Sequence, residues 1–150
     1  MQDRHVYGEP VDVDALLQRA LVARVATDGP TLRPLWYLYE QPTFYWLTDT
    51  ANFLHRAVLA GRPLVLVADV CDIETGEVIH VRARGSGEIV PVDRDRAMKK
   101  FARYLGPDSS KWDPRFVSSL DLPTTRFCRF TPSSIEAADV SFLVRRDAGD

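Results

Sequence analysis

Cysteine, histidine and lysine are all scarce in this chain. Its 150 residues hold two cysteines, Cys71 and Cys128, and three histidines, His5, His55 and His80. Neither cysteine sits in a CxxC or a Cys/His cluster, which excludes a disulfide scaffold and a zinc-ligand pattern, and no metal site is expected. The histidines form no HExxH. Lysine occurs only at 99, 100 and 111, among 19 basic side chains. Neither sign of charge dominates, because 21 acidic residues leave a net charge of −2. Such a balance gives no global positive field to hold nucleic acid or an anionic membrane surface. Long apolar runs are missing as well. The longest, Pro63 to Ala68, closes at Asp69, far short of the ~20 residues a membrane span needs. The opening MQDRHVYGEP has no apolar signal core. A cytoplasmic setting is the expectation. GxxxxGK[ST], GxSxG and GxGxxG are absent, and Gly85-Ser86-Gly87 lies inside a strand pattern. Serine- or cysteine-based hydrolysis has no support, and no catalytic side chain is assigned.

What remains is an ordinary globular composition, 45% hydrophobic and 27% charged. It predicts a single domain over 1–150, with its core in about 12–143 and a frayed tail at 144–150. Leu16, Leu17, Ala20 and Leu21 recur at helical spacing within Val11–Val22, with Asp12 or Asp14 as cap. Three strand patterns follow: Val22–Thr27, Leu32–Tyr39 and Thr43–Thr48, separated by Asp28-Gly29-Pro30 and Gln41-Pro42. Phe53–Ala60 reads as a short helix ended by Gly61 and Pro63. Leu64–Ile73 is apolar enough for a strand buried on both faces. Val78–Val92 is a long strand bent or bulged at Gly85-Ser86-Gly87. Asp93 caps a helix through Leu105 with Ala97, Met98, Phe101 and Leu105 as its apolar stripe. Asp108–Arg115 reads as a mobile segment at a pocket mouth, with Trp112 as its lone large apolar ring. A helical turn at Phe116–Leu120 and strands at Pro123–Phe130 and Ile135–Leu143 complete the chain. The fold class is mainly β with peripheral helices: a six-stranded, mostly antiparallel small β-barrel.

Three features carry chemical content. The first is the junction Thr48–Arg56, TDTANFLHR, where a strand feeds a helix rich in hydroxyl and amide side chains. Free N–H groups there would suit a phosphate, with His55 and Arg56 adding charge; plain N-capping gives the same pattern. The second is His80, Arg82 and Arg84, which period two puts on one strand face. They form either a cationic wall for an anionic ligand or a solvated side. The third is the aromatic load of Trp36, Tyr37, Tyr39, Phe44, Tyr45 and Trp46. Both strand faces carry rings, so one face meets a partner or flat ligand, or the core is thickly packed.

The run ARVATDGPTLRPLWYLYEQPTFYWLTD, the following short helix, RPLVLVADV and HVRARGSGEIV together resemble the pyridoxamine 5′-phosphate oxidase-like flavin-binding split barrels. The resemblance covers about 16–140 and is nearest the small single-domain branch using FMN or a deazaflavin, coenzyme F420. Its marks are P-x-W-Y at Pro34–Tyr37, Thr48 closing the third strand, and R-x-x-G-x-x-E at Arg82–Glu88. It implies a Greek-key split barrel, a two-fold homodimer with cofactor grooves at its interface, and hydride transfer between the coenzyme and a small-molecule substrate. The implied cofactor-binding residues are Arg33, Pro34, Leu35 and Trp36, then Thr48, Thr50, Asn52, His55 and Arg56, and finally His80 and Arg82. The family's glutamine that reaches across the dimer aligns with His80. One departure stands out. The family carries a lysine, and an asparagine three residues later, on the short helix. Counting back from Pro63 puts His55 and Val58 there, whereas counting from Thr48 puts Leu54 at the lysine position. Either way the lysine is absent. The leading expectation is a flavin- or deazaflavin-dependent oxidoreductase; the alternative is a split-barrel dimer without redox activity that binds a ligand or acts as an accessory protein.

Overall fold

The computed structural model describes residues 3–7, as backbone, and 10–143. The expected tail at 144–150 lies outside the described residues. The chain runs β1 (Asp3–Tyr7), α1 (Val13–Leu17), β2 (Ala23–Thr27), β3 (Thr31–Leu35), β4 (Leu38–Glu40), β5 (Thr43–Asp49) and α2 (Phe53–Leu59). It continues through β6 (Leu64–Asp72), β7 (Glu77–Gly85), β8 (Gly87–Val90), α3 (Arg94–Leu105), a 3₁₀ turn at Ser109–Lys111, α4 (Pro114–Ser118), β9 (Thr125–Phe130) and β10 (Ser134–Asp139). One sheet has the order β1-β10-β7-β6-β2-β3, the other β4-β5-β9-β8. The mainly β class with flanking helices is as expected. Among the described residues, ten strands stand in place of the expected six-stranded barrel and of the seven strand segments read along the sequence, for two physical reasons.

First, two of the expected long strands each change sheet part-way. Leu32–Tyr39 divides into β3 and β4 around Trp36-Tyr37. There Tyr37 is fully buried and its N–H donates to the Tyr104 hydroxyl rather than to a strand neighbour. Val78–Val92 divides into β7 and β8 at Ser86. The flanking glycines are dictated by close approach. A Cβ at Gly85 would stand 3.1 Å from the Ser133 amide nitrogen, and one at Gly87 3.0 Å from Cys128 Sγ. These bends pass the chain from one sheet to the other and so join them into the barrel. Second, β1 comes from an N-terminal segment with no strand pattern, and it pairs parallel with β10.

Alternation places the core. Val25, Leu66, Ala83 and Ile135 lie in register across β2, β6, β7 and β10, and all are fully buried. They meet Phe44, Trp46, Cys128 and Phe130 from the other sheet. The strand β6 corrects the expectation of burial on both faces: Leu64, Leu66 and Ala68 are buried, but the outward Val65 and Val67 are only half-buried. The helix expected over Val11–Val22 is five residues long. Asp12 caps it, and Arg103 grips the Leu17 and Arg19 carbonyls where the chain turns toward β2.

A second cluster lies on the other face of the smaller sheet. Leu38, Tyr45 and Phe127 pack under Ala97 and Phe101 of α3, Trp112 and Leu120. The second aromatic face is thus covered by the chain's own helices, not left for a partner. Trp112 is buried, stands edge-on to Phe101 and donates its indole N–H to the Gly106 carbonyl at 2.9 Å. The segment expected as a mobile lip therefore folds into a 3₁₀ turn and α4 around an inward tryptophan.

Candidate functional site

The alternation of β5 sends Phe44, Trp46 and Thr48 to the barrel interior, and Tyr45 and Leu47 to the helix-covered side. Opposed residues of an antiparallel pair share a face. β9 therefore presents Phe130, Cys128 and Arg126 inward beside them, with Arg126 opposite Thr48. Beyond β5 the chain reverses through Asp49–Asn52. Asp49 accepts from the Ala51 amide at 2.9 Å and the Thr124 hydroxyl at 2.7 Å, and these bonds hold its carboxyl below the usual range, the hydroxyl foremost. Asn52 caps α2 by accepting from the Leu54 amide at 2.7 Å, and the Thr50 amide donates to the Thr124 carbonyl. The junction therefore offers fewer free donors than its sequence suggests, because its own carboxylate and amide side chains take them. Thr50 itself is exposed.

α2 buries Leu54, His55, Ala57 and Val58 against β5 and β8. His55 is 4% exposed and Thr48 8%. Among the described residues, Thr48 Oγ1 and His55 Nδ1 have no hydrogen-bond partner, and neither has Trp46 Nε1, two residues before Thr48 on the same strand face. A buried polar atom left unpaired costs about 1–3 kcal/mol, so each one calls for an explanation; away from this junction, the Tyr37 hydroxyl and Arg103 Nε and Nη1 are also unpaired among the described residues. Burial pushes the His55 imidazole below its ordinary range; the Arg126 charge adds to this and Asp49 opposes it. His55 is therefore neutral at pH 7 and brings no charge to an anion. Arg56 is exposed, its Nη1 donates to the Ala51 carbonyl at 3.1 Å, and its guanidinium lies 5.8 Å from the Phe53 ring centre.

Of the other predicted residues, Arg33, Pro34, Leu35, His80 and Arg82 lie on the larger sheet, and Trp36 follows it in the chain. Arg33, Pro34 and Leu35 are on β3, the edge of the larger sheet, with Arg33 and Pro34 exposed. The Trp36 ring stacks on Tyr104 at 4.5 Å and on Phe116 at 5.5 Å, so packing already occupies it. His80 and Arg82 point outward from β7, where Arg82 pairs with Glu136. Thr48, Asn52, His55 and Arg56 are thus brought together at one junction. Arg126 joins them from a distant strand, and the sequence reading missed it. The available signal was its period-two spacing with Cys128 and Phe130, which puts a guanidinium on an inward register.

Residues 9–138 match the family model described as pyridoxamine 5′-phosphate oxidase. The chain belongs to that family. No curated protein matches it. Among solved structures, the conserved hypothetical protein Rv2991 from Mycobacterium tuberculosis superposes with a TM-score of 0.74 at 14% identity, covering 100% of this chain and 99% of that one. A protein described as an F420 reductase gives a TM-score of 0.59 at 21% identity, over 85% and 98% of the two chains. A FAD binding protein from Mycobacterium smegmatis gives 0.56 at 19%, over 86% and 93%. These likenesses are of fold, and the fold they share is the split barrel. Among the described residues no helix is long and apolar enough to cross a membrane, and no His/Cys/Asp/Glu group is arranged to hold a metal ion.

Proposed function

We propose that the chain binds a flavin-type coenzyme, FMN or the deazaflavin F420, and supports hydride transfer between it and a small organic substrate. The observation that carries this reading is the pair of unpaired buried atoms, Thr48 Oγ1 and His55 Nδ1, at the β5–α2 junction. Both coenzymes bear a phosphate group, and a hydroxyl with a neutral imidazole supplies hydrogen bonds for phosphate oxygens without a change of protonation. When bound, the coenzyme supplies the hydride chemistry. The protein binds the anionic end, orients the ring and keeps bulk water from the buried end of the site. Family membership and the likeness of fold to proteins described as an F420 reductase and a FAD binding protein support the reading.

The reading includes a homodimer. The outer face of the larger sheet carries Leu32, 62% exposed, with Pro34, Val65 and Val67, among the paired charges Arg24–Asp69 and Arg82–Glu136. An apolar strip set among charges of both signs suits a self-complementary two-fold contact. A permanent dimer of this kind buries about 2,000 Å² or more in total. The neutral His55 in place of a lysine favours the second reading, a dimer that binds a phosphorylated ligand without redox turnover. Titration of the purified protein with FMN and with F420, followed by absorbance and fluorescence, tests both. Saturable binding with substrate-dependent bleaching supports the first reading, and binding without bleaching the second. Light scattering at micromolar concentration tests the dimer.

A further inference from the structure

We infer that Arg126 is the cation that receives the anionic end of the coenzyme, in the role that a lysine on the short helix would otherwise fill; the inference rests on the coenzyme reading above. The sheet register is its first support. Arg126 lies directly opposite Thr48, on the strand face that also carries Cys128 and Phe130. Arg126 is half-buried there, and withdrawing a charge from water costs free energy unless something pairs with it. No carboxylate pairs with Arg126 among the described residues. Arg129, on the opposite face of the same strand, is paired with Glu88 at 3.0 Å.

The anchoring of Arg126 is the second support. Its Nη1 donates to the Pro123 and Thr125 carbonyls, both at 2.8 Å. These bonds fix one nitrogen of the guanidinium and leave Nε and Nη2 without an acceptor among the described residues. A guanidinium held at one nitrogen with its other donors free is preorganised for an oxyanion. The third support is the company it keeps. Thr48 Oγ1 and His55 Nδ1 are both buried and unpaired, and they add a hydroxyl and an imidazole nitrogen to the guanidinium. Three such groups, from β5, α2 and β9, are of the kinds that hydrogen-bond phosphate oxygens. Arg56 is the other cation at the junction, but it is exposed and engaged with the Ala51 carbonyl and the Phe53 ring.

The test compares FMN with riboflavin, which lacks the phosphate, by fluorescence titration of the wild-type protein, Arg126→Met and Arg129→Met. The His55 ring resonances are followed in parallel by NMR as inorganic phosphate is added. The wild type should prefer FMN, and Arg126→Met should erase that preference by weakening FMN about 10- to 100-fold while riboflavin binds as before. Arg129→Met should keep the preference. Arg126→Gln, which also lacks the charge, replaces Arg126→Met if the latter does not fold. An unchanged preference in the Arg126 variant, or equal binding of FMN and riboflavin by the wild type, overturns the inference and leaves the coenzyme reading standing. If no flavin or deazaflavin binds, yet phosphate shifts the His55 resonances in the wild type and not in the Arg126 variant, the anion site stands and the coenzyme reading falls. No response to either probe overturns both.

Discussion

Lys100 sits on α3 at 5% exposure, with no ion pair among the described residues. Its ammonium lies 5.1 Å from the centre of the neighbouring Phe101 ring. Burial alone draws the amine down from 10.5 to about 8. At 1.36 kcal/mol per pH unit that is about 3 kcal/mol against the charged form at pH 7. The cation–π contact is already part of the folded state, and replacing the lysine forfeits about 0.5–1 kcal/mol of it. Methionine keeps the length and the methylene stem without the charge. Lys100→Met should therefore stabilise the protein at pH 7 by about 2–2.5 kcal/mol, a Tm rise of roughly 4–10 °C for a chain of this size. The sign of the pH dependence follows from linkage. The folded-state value lies below the unfolded one, so the unfolded chain binds the extra proton between pH 8 and 10.5, and wild-type stability gains from this group as pH rises through that window. The variant lacks that gain, so its advantage should shrink by more than half at pH 10. Urea titrations of both proteins at pH 7 and pH 10 measure the difference, and other titrating groups cancel between them. A variant less stable than wild type at pH 7, or an advantage that does not change with pH, would refute the reasoning.

Three further outcomes are expected. Tyr104→Phe removes the hydroxyl that accepts from the Tyr37 amide at 3.1 Å and donates to the Leu21 carbonyl at 2.7 Å; chemical denaturation should show a loss of about 1–3 kcal/mol. Gly87→Ala sets a methyl 3.0 Å from Cys128 Sγ and 3.3 Å from Val58 Cγ1 at the corner between the sheets, and should cost about 1–3 kcal/mol in the same assay. His55 is held below its ordinary value by burial, so the unfolded chain takes up its proton first. Stability should fall as pH drops below about 6.5, and His55→Gln should flatten that part of a Tm–pH profile. For the same reason FMN affinity should be nearly level between pH 7 and 8.

Much of this protein is legible in short-range pattern. Period-two alternation put His80, Arg82 and Arg84 on one face of β7, and that face is the outward one. Asp93 announced α3, and its side chain caps the helix by accepting from the Arg96 amide. The Gly85-Ser86-Gly87 run marked a corner, because only glycine tolerates backbone this close. The β5–α2 junction was also visible, since Thr48, Asn52 and His55 are near neighbours in the chain. Tertiary structure alone decided the rest. His55 and Arg56 are adjacent, yet one is buried and neutral and the other exposed, which depends on how α2 rests on β5 and β8. Trp36 was available as a flat surface until Tyr104 and Phe116, from α3 and α4, stacked on it. Lys100 lies outside the apolar stripe of α3 and is buried because α3 lies over the smaller sheet. Arg126 meets Thr48 only through the register of β5 with β9, set by pairing across most of the chain's length. Local propensity carries information over a few residues, whereas burial, charge state and the meeting of donors from separate strands follow from contacts that form only when the sheets close.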